Sequence, residues 1–209
     1  VLILDANDDV TSKPALFKAA WANRYAGIVE YRPKHSLVDV DAKTKTLKFE
    51  FNDDIKADVL NVLPPMRAGS IAVKTGLANM NGRWCEVDFL TFESKVAPNV
   101  HVIGDSIQVA PLMPKSGHMA NQHGKTTAAA IVAILSGAEV NQMPIYNNTC
   151  YSFVSADDVI HVASVHRYDA EKRTMLTVPG AGGVSAAANP LEGEYAKSWA
   201  RNIWADMLT

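Results

Sequence analysis

Residues 99–105 read NVHVIGD, an apolar run that stops abruptly at Gly104-Asp105. Val100, Val102 and Ile103 suit a strand buried on both faces, as in a parallel sheet. A Pro- and Gly-containing loop (106–117) follows, then an alanine-rich stretch with helical character from Gly117 to Leu135, with Gly137 placed as its cap. A strand that ends at Gly-Asp ahead of a long helix of small residues points to an α/β chain with a ligand edge. Val1-Leu2-Ile3-Leu4-Asp5 has the same character, an apolar strand ending in an acid. It opens the chain in mid-sheet, so the sequence reads as a piece of something longer.

Composition narrows the partners. The 209 residues carry a net charge of −2 with no basic block, which disfavours nucleic acid. The longest apolar run, Ala128 to Leu135, falls well short of the roughly 20 residues that span a bilayer. Cys85 and Cys150 form no CxxC and no CxxCH, so neither a zinc knuckle nor a covalent haem is built here.

Between these landmarks the pattern predicts a helix from Pro14 to Tyr25 ended by Gly27, a short strand over 28–31, and a hairpin of 37–40 with 46–51. Apolar strands are expected over 57–63, stopped by Pro64-Pro65, over 87–92 and over 100–104. A short helix over 67–76 and a turn at Met80-Asn81-Gly82 lie between them. A linker (138–148) precedes a small antiparallel sheet of 151–154, 159–165 and 174–178. The segment 179–183, PGAGG, reads as a flexible loop. Residues 191–208 form a last amphipathic helix, with Trp199 and Trp204 as its core anchors. The chain thus divides into 1–75, 76–137 and 138–209.

Asp105, at the end of its strand, can accept hydrogen bonds from a ribityl or ribose hydroxyl, and Gly104 lets a ligand approach the backbone. The helix starting near Ser116 or Gly117 would aim unpaired N–H groups at negative charge, such as a reduced isoalloxazine. The same two residues also read as a plain turn with Asp105 as an N-cap. The G-x-G-x-x-G loop that should hold the phosphates of a dinucleotide is absent, and Gly180-Ala181-Gly182-Gly183 lacks the strand and helix it needs.

Four stretches, ADVLNVLPPMRAG (57–69), GRWCEVDFLTFES (82–94), NVHVIGDSIQVAPLMPKSGHMANQHGK (99–125) and YNNTCYSFVS (146–155), together resemble the flavoprotein subunit of flavocytochrome c sulfide dehydrogenase. The resemblance runs in order along the whole chain and corresponds to the carboxyl-terminal half of that subunit. It implies a partial two-dinucleotide-domain flavoprotein fold of the glutathione reductase type plus a small antiparallel domain, α/β with α+β character at the C-terminus. Residues 1–75 would be part of the NADH-domain-like fold, 76–137 the returning segment of the FAD domain, and 138–209 the C-terminal interface domain. The resemblance further implies FAD as cofactor, sulfide as substrate, a c-type cytochrome subunit as partner, the missing N-terminal half of the same protein, and a periplasmic location.

By position in these motifs, Gly104 and Asp105 would meet the FAD ribityl chain. Pro114, Lys115 and Ser116 would lie near the flavin ring, with Thr149 beside them. Cys150 would be one half of a redox disulfide whose partner lies upstream, and Trp199 an aromatic near the flavin. Relatives tend to carry Tyr where His118 stands, and WCPVD where this chain has WCEVD.

Each residue also has a plainer reading. Cys150 could be a small buried hydrophobe, Lys115 a solvated lysine, and Trp199 only a core anchor. Cys85 reads as structural, with a Cys85–Cys150 disulfide left open. His118 and His123, and likewise His161 and His166, are five apart, which suits no metal pair. Asp5 stands where NAD-binding relatives place a ribose contact, and reads as a relic or a cap. Two other functions stay in view. One is a non-catalytic module that docks a cytochrome. The other is a sulfide:quinone or NADH-dependent reductase, against which the charged tail (Glu192, Glu194, Lys197, Arg201, Asp206) argues for a soluble face.

Overall fold

The computed structural model describes residues 1–208. The chain falls into two compact units. One holds Val1–Pro65 with Ser152–His161 and Ser185–Glu194. The other holds Met66–Tyr151 with Val162–Val184 and the chain from Tyr195 onward. The fold is mixed α/β with an antiparallel strand pair toward the C-terminus, the class expected. Among the described residues no helix is long and apolar enough to cross a membrane.

In the first unit, β1 (Leu2–Leu4) pairs in parallel with β2 (Glu30–Arg32) through the connecting helix α1 (Pro14–Arg24). Parallel neighbours require such a crossover. Pro14 takes the first turn of α1, where its missing N–H is not needed. The second strand starts at Glu30 rather than Ile28, because the Ile28 and Val29 amides both turn back to the Tyr25 carbonyl. The expected hairpin forms from β3 (Leu37–Asp41) and β4 (Thr46–Phe49), and β5 (Ile55–Lys56) adds a third strand. Asp41 organises the turn by accepting hydrogen bonds from the Lys43 and Thr44 amides. The core of this unit is small: Ala20, Val154 and Ile160, with Leu16 and Phe17 packed against them.

The strand expected over 57–63 does not form, and Val59 and Leu63 are 84% and 89% exposed. Apolar content makes a strand only where a neighbour takes up the backbone N–H and C=O groups. Asp5 continues the pairing of β1, its amide donating to the Arg32 carbonyl. Its carboxylate accepts hydrogen bonds from the Asn7 amide and side chain and from the Tyr31 hydroxyl, so it closes a local turn.

In the second unit, α2 (Ser70–Lys74) is the short helix expected, and Met80–Arg83 is a tight turn with Asn81 and Gly82 both at positive φ. Two expected strands are instead irregular. Over 87–92 the chain curls: the Asp88 carboxylate accepts from the Leu90 amide, the Asp88 carbonyl accepts from the Phe92 amide, and Phe92 sits at φ +60°. Over 100–104 a single bridge, His101 to Glu93, replaces a strand. Gly104–Ser106 then winds into one 3₁₀ turn. The long helix α3 (Gly117–Ser136) forms as expected, capped by Ser116 and ended by Gly137 at φ +69°. Its buried face, Met119, His123, Thr127 and Ala130, keeps the i, i+4 and i, i+3 spacing of one helix face. Phe92, Ile107, Met119, Tyr146 and Met175 make the core, each at most 1% exposed.

The C-terminal sheet is longer than expected. Strands β6 (Ile145–Phe153), β7 (Val159–Asp169) and β8 (Thr174–Val184) lie in that order. The linker is correspondingly shorter, and the residues expected as a flexible loop, 179–183, belong to β8. The glycines serve close approach there: a Cβ on Gly182 would lie 2.4 Å from the Ala163 carbonyl oxygen. Helix α4 (Pro190–Leu208) carries both tryptophans, but Trp204 is 60% exposed and anchors no core. Five residues on from Trp199, it points about 140° round the helix.

Candidate functional site

The second unit brings most of the singled-out residues together. Helix α3 starts at Ser116, whose Oγ accepts the Met119 amide at 3.2 Å. Immediately before it, Lys115 is half-buried and held in place. Its Nζ donates to the carbonyls of Asp105 (2.9 Å) and Ile107 (2.6 Å) and lies 3.9 Å above the Trp84 ring centroid. Burial pulls its pKa below the usual lysine value, against the pull of the Asp105 charge.

Gly104 turns at φ +70°, and a Cβ there would lie 3.2 Å from that of Ala120 on α3. Its amide donates to His123 Nδ1 at 3.2 Å. The Asp105 carboxylate is exposed and has no hydrogen-bond partner among the described residues. Gly104, Asp105, Pro114 and Lys115 line one pocket, closed by Met119 and His123.

His123 is 2% exposed, against the Phe92 ring (4.5 Å between centroids) and the Tyr146 ring (5.4 Å). Burial, reinforced by the charge of Lys115, pushes its pKa down to about 4. Its Nδ1 accepts, so the proton sits on Nε2, which is buried without a partner.

Strand β6 brings the cysteine. Tyr146 and Asn148 are buried, and Asn148 and Cys150 share a face at i, i+2. Asn148 Nδ2 donates to Cys150 Sγ at 3.1 Å, and Ser116 Oγ donates to Asn148 Oδ1 at 2.7 Å. Gln122 clamps the strand to α3: its Oε1 accepts the Asn147 amide at 3.0 Å, and its Nε2 donates to the Asn147 carbonyl. The Thr149 amide donates to His118 Nδ1 at 3.2 Å. His118 stands edge-on to Trp199 (5.4 Å), which also meets Tyr151 (6.2 Å). Burial lowers the His118 pKa.

Ser116, Thr149, Cys150 and Trp199 therefore belong to one network around the start of α3. Cys85 makes no hydrogen bond to these side chains; its thiol is wholly buried against Ala68 and Ala72 and is pushed up by that burial, against the pull of the Lys115 charge. The two cysteines are thiols and do not bridge each other. Among the described residues no group of His, Cys, Asp and Glu could hold a metal. His161 bonds to Glu192 and Ser185, and His166 to Ser164.

Asn148, His123 and Trp84 were not singled out as site residues from the sequence. The alternation of YNNTC places Asn148 on the face of Cys150, and the spacing of Met119 and His123 places that histidine in the buried stripe of α3. Both signals were present. Trp84 had no such signal, since it meets Lys115 only through a fold of the chain.

The geometry fits a flavin. The unpartnered Asp105 carboxylate can accept from ligand hydroxyls, and the start of a 20-residue helix beside a fixed lysine favours negative charge.

Two family models match. One, described as sulfide dehydrogenase [flavocytochrome c] flavoprotein chain, central, matches residues 1–64. The other, described as flavocytochrome c sulphide dehydrogenase, flavin-binding, matches residues 142–208. Among solved structures, a chain of the Tetrahymena thermophila mitochondrial ATP synthase F1Fo composite tetramer is 19% identical over 78% of this chain and 40% of its own, with a TM-score of 0.57, a likeness of fold. Reduced Bacillus anthracis CoADR-RHD is 15% identical over 81% of this chain and 37% of its own (TM-score 0.44). The covalent putidaredoxin reductase–putidaredoxin complex is 12% identical over 95% and 51% (TM-score 0.43). The chain spans about half or less of the length of each.

Proposed function

The chain belongs to the flavoprotein chains of flavocytochrome c sulfide dehydrogenase, and from that membership we propose that it is part of a periplasmic enzyme that oxidises sulfide and passes the electrons to a c-type cytochrome subunit. FAD is the cofactor of the family. One observation carries the reading: Ser116, the cap of α3 beside the Gly104–Asp105 pocket, is linked through Asn148 to Cys150. A redox-capable sulfur and the flavin edge share one hydrogen-bonded frame.

In this reading Asp105 holds ribityl hydroxyls, and the start of α3 with Pro114, Lys115 and Ser116 borders the ring. Thr149 lies on the cysteine side, and Trp199 packs beside it through His118. Cys150 forms a disulfide with a cysteine outside these 209 residues, because Cys85 is sealed in its own apolar cluster. Hydrosulfide attacks one sulfur of that disulfide. A new S–S bond forms to the sulfide sulfur, the old S–S bond breaks, and the other cysteine leaves as a thiolate. The sulfide sulfur is oxidised by two electrons and the disulfide reduced by two. When bound, FAD supplies an acceptor for an electron pair that can be emptied one electron at a time, which suits a haem partner. Segments 1–75, 76–137 and 138–209 correspond to nucleotide-domain-like, FAD-domain and interface parts of the whole protein.

The test is anaerobic addition of sulfide to the FAD-loaded flavoprotein that contains this chain, with the flavin band followed and NADH as the parallel trial. Sulfide bleaches the band in the parent protein and not in Cys150→Ser, while dithionite bleaches both. Bleaching by NADH alone moves the protein to a pyridine-nucleotide reductase, and Asp5 would then have to leave Asn7 and Tyr31 to reach a ribose.

A further inference from the structure

We propose that Asn148 is a catalytic hydrogen-bond donor to the sulfur of Cys150, stabilising its thiolate and making it the better leaving sulfur when the disulfide opens. The inference rests on the redox reading of Cys150 and adds to it a residue and a direction.

The amide oxygen of Asn148 is turned to Ser116 and its nitrogen to Cys150. Ser116 Oγ accepts from the Met119 backbone N–H, so its own hydrogen is available to donate, and it does so to Asn148 Oδ1 at 2.7 Å. With the amide oxygen turned to Ser116, the Asn148 nitrogen faces Cys150 Sγ at 3.1 Å. Asn148 is 2% exposed, so water does not compete for that donor. The series Met119 N–H, Ser116, Asn148, Cys150 Sγ runs from the positive end of α3 to the sulfur, each member polarising the next. A hydrogen bond to the charged form of an acid favours that form. In thiol–disulfide exchange the sulfur with the more stable thiolate departs faster. Hydrosulfide is therefore directed to the other sulfur of the pair.

The readout is the reactivity of Cys150 itself. The FAD-loaded flavoprotein is reduced with a phosphine, kept anaerobic and treated with iodoacetamide across about pH 5 to 10, a range that brackets an ordinary thiol. Alkylation of the Cys150 peptide is followed by mass. Asn148→Leu keeps bulk and removes the donor. Asn148→Asp keeps an acceptor toward Ser116 and replaces the donor with charge. Ser116→Ala releases the amide and serves if either Asn148 variant fails to fold. We expect the midpoint of the alkylation profile to rise by about one pH unit in Asn148→Leu, more in Asn148→Asp and less in Ser116→Ala. Alkylation at neutral pH then falls about tenfold in Asn148→Leu.

An unmoved midpoint overturns the proposal. So does alkylation that speeds up equally at every pH, since a merely structural asparagine would loosen the strand and expose the thiol. These outcomes are independent of the proposed function, which fails if Cys150→Ser still bleaches with sulfide, whatever the midpoint does.

Discussion

The two units differ in the cores they build. In the first, Phe51, Val59 and Leu63 are each more than 80% exposed, and the sheets have two and three short strands. In the second, Phe92, Met119 and Tyr146 are at most 1% exposed, and the rings of Phe92 and Tyr146 flank the buried His123. Hydrophobic residues are plentiful in both, so burial is decided by what packs on them. Only the second unit has the 20-residue helix α3, whose buried stripe reaches the irregular chain around Phe92 and Ile107 and strand β6. There polar groups lose water and must find partners, and a site capable of chemistry is the result.

The largest effect expected from this contrast is in the second core. Met119→Ala removes a wholly buried side chain and should cost about 2–5 kcal/mol in urea unfolding. A loss below 1 kcal/mol would mean that the core is not packed as described.

Next comes acid. His123 has a pKa of about 4 in the folded chain, below the ordinary 6.5. The unfolded chain therefore binds the proton more readily. The stability tied to the neutral ring is complete above about pH 6.5 and is lost as pH falls toward 4, on the order of 3 kcal/mol by that point. His166, also lowered by burial, acts in the same sense. Hydrogen exchange read by segment should show 66–151 opening with acid before 1–65. The reverse order would break the contrast.

A smaller effect belongs to the first unit. Asn189 Oδ1 accepts the Glu192 amide at 2.9 Å at the start of α4, and Asn189→Ala should cost about 1 kcal/mol. At the bottom of the scale, Val59→Ser should change unfolding by no more than about 0.5 kcal/mol. A cost as large as that of Met119→Ala would show that Val59 is covered.

What the sequence disclosed follows the same division. Helices α1, α3 and α4 were legible because their caps and spacing are local: Pro14 at the start of α1, Ser116 and Gly137 at the ends of α3. The hairpin of β3 and β4 was legible because its turn lies between its strands. Segments 57–63, 87–92 and 100–104 misled because an apolar run carries no record of its ladder partner. The glycines of 179–183 read as slack because their use, close approach to Ala163, lies on another strand. At the site, the Gly-Asp edge and the cysteine could be pointed to from motifs. The Asn148 relay and the buried His123 needed the docking of β6 on α3.

Lys115 carries a last consequence. Its ammonium sits on the carbonyls of Asp105 and Ile107, as a monovalent cation sits on backbone carbonyls that replace its water shell. Here the cation is covalently tethered ten residues along the chain from Asp105. The Gly-Asp turn thus carries its own counter-ion, and its shape is set by the polypeptide rather than by the salts around it.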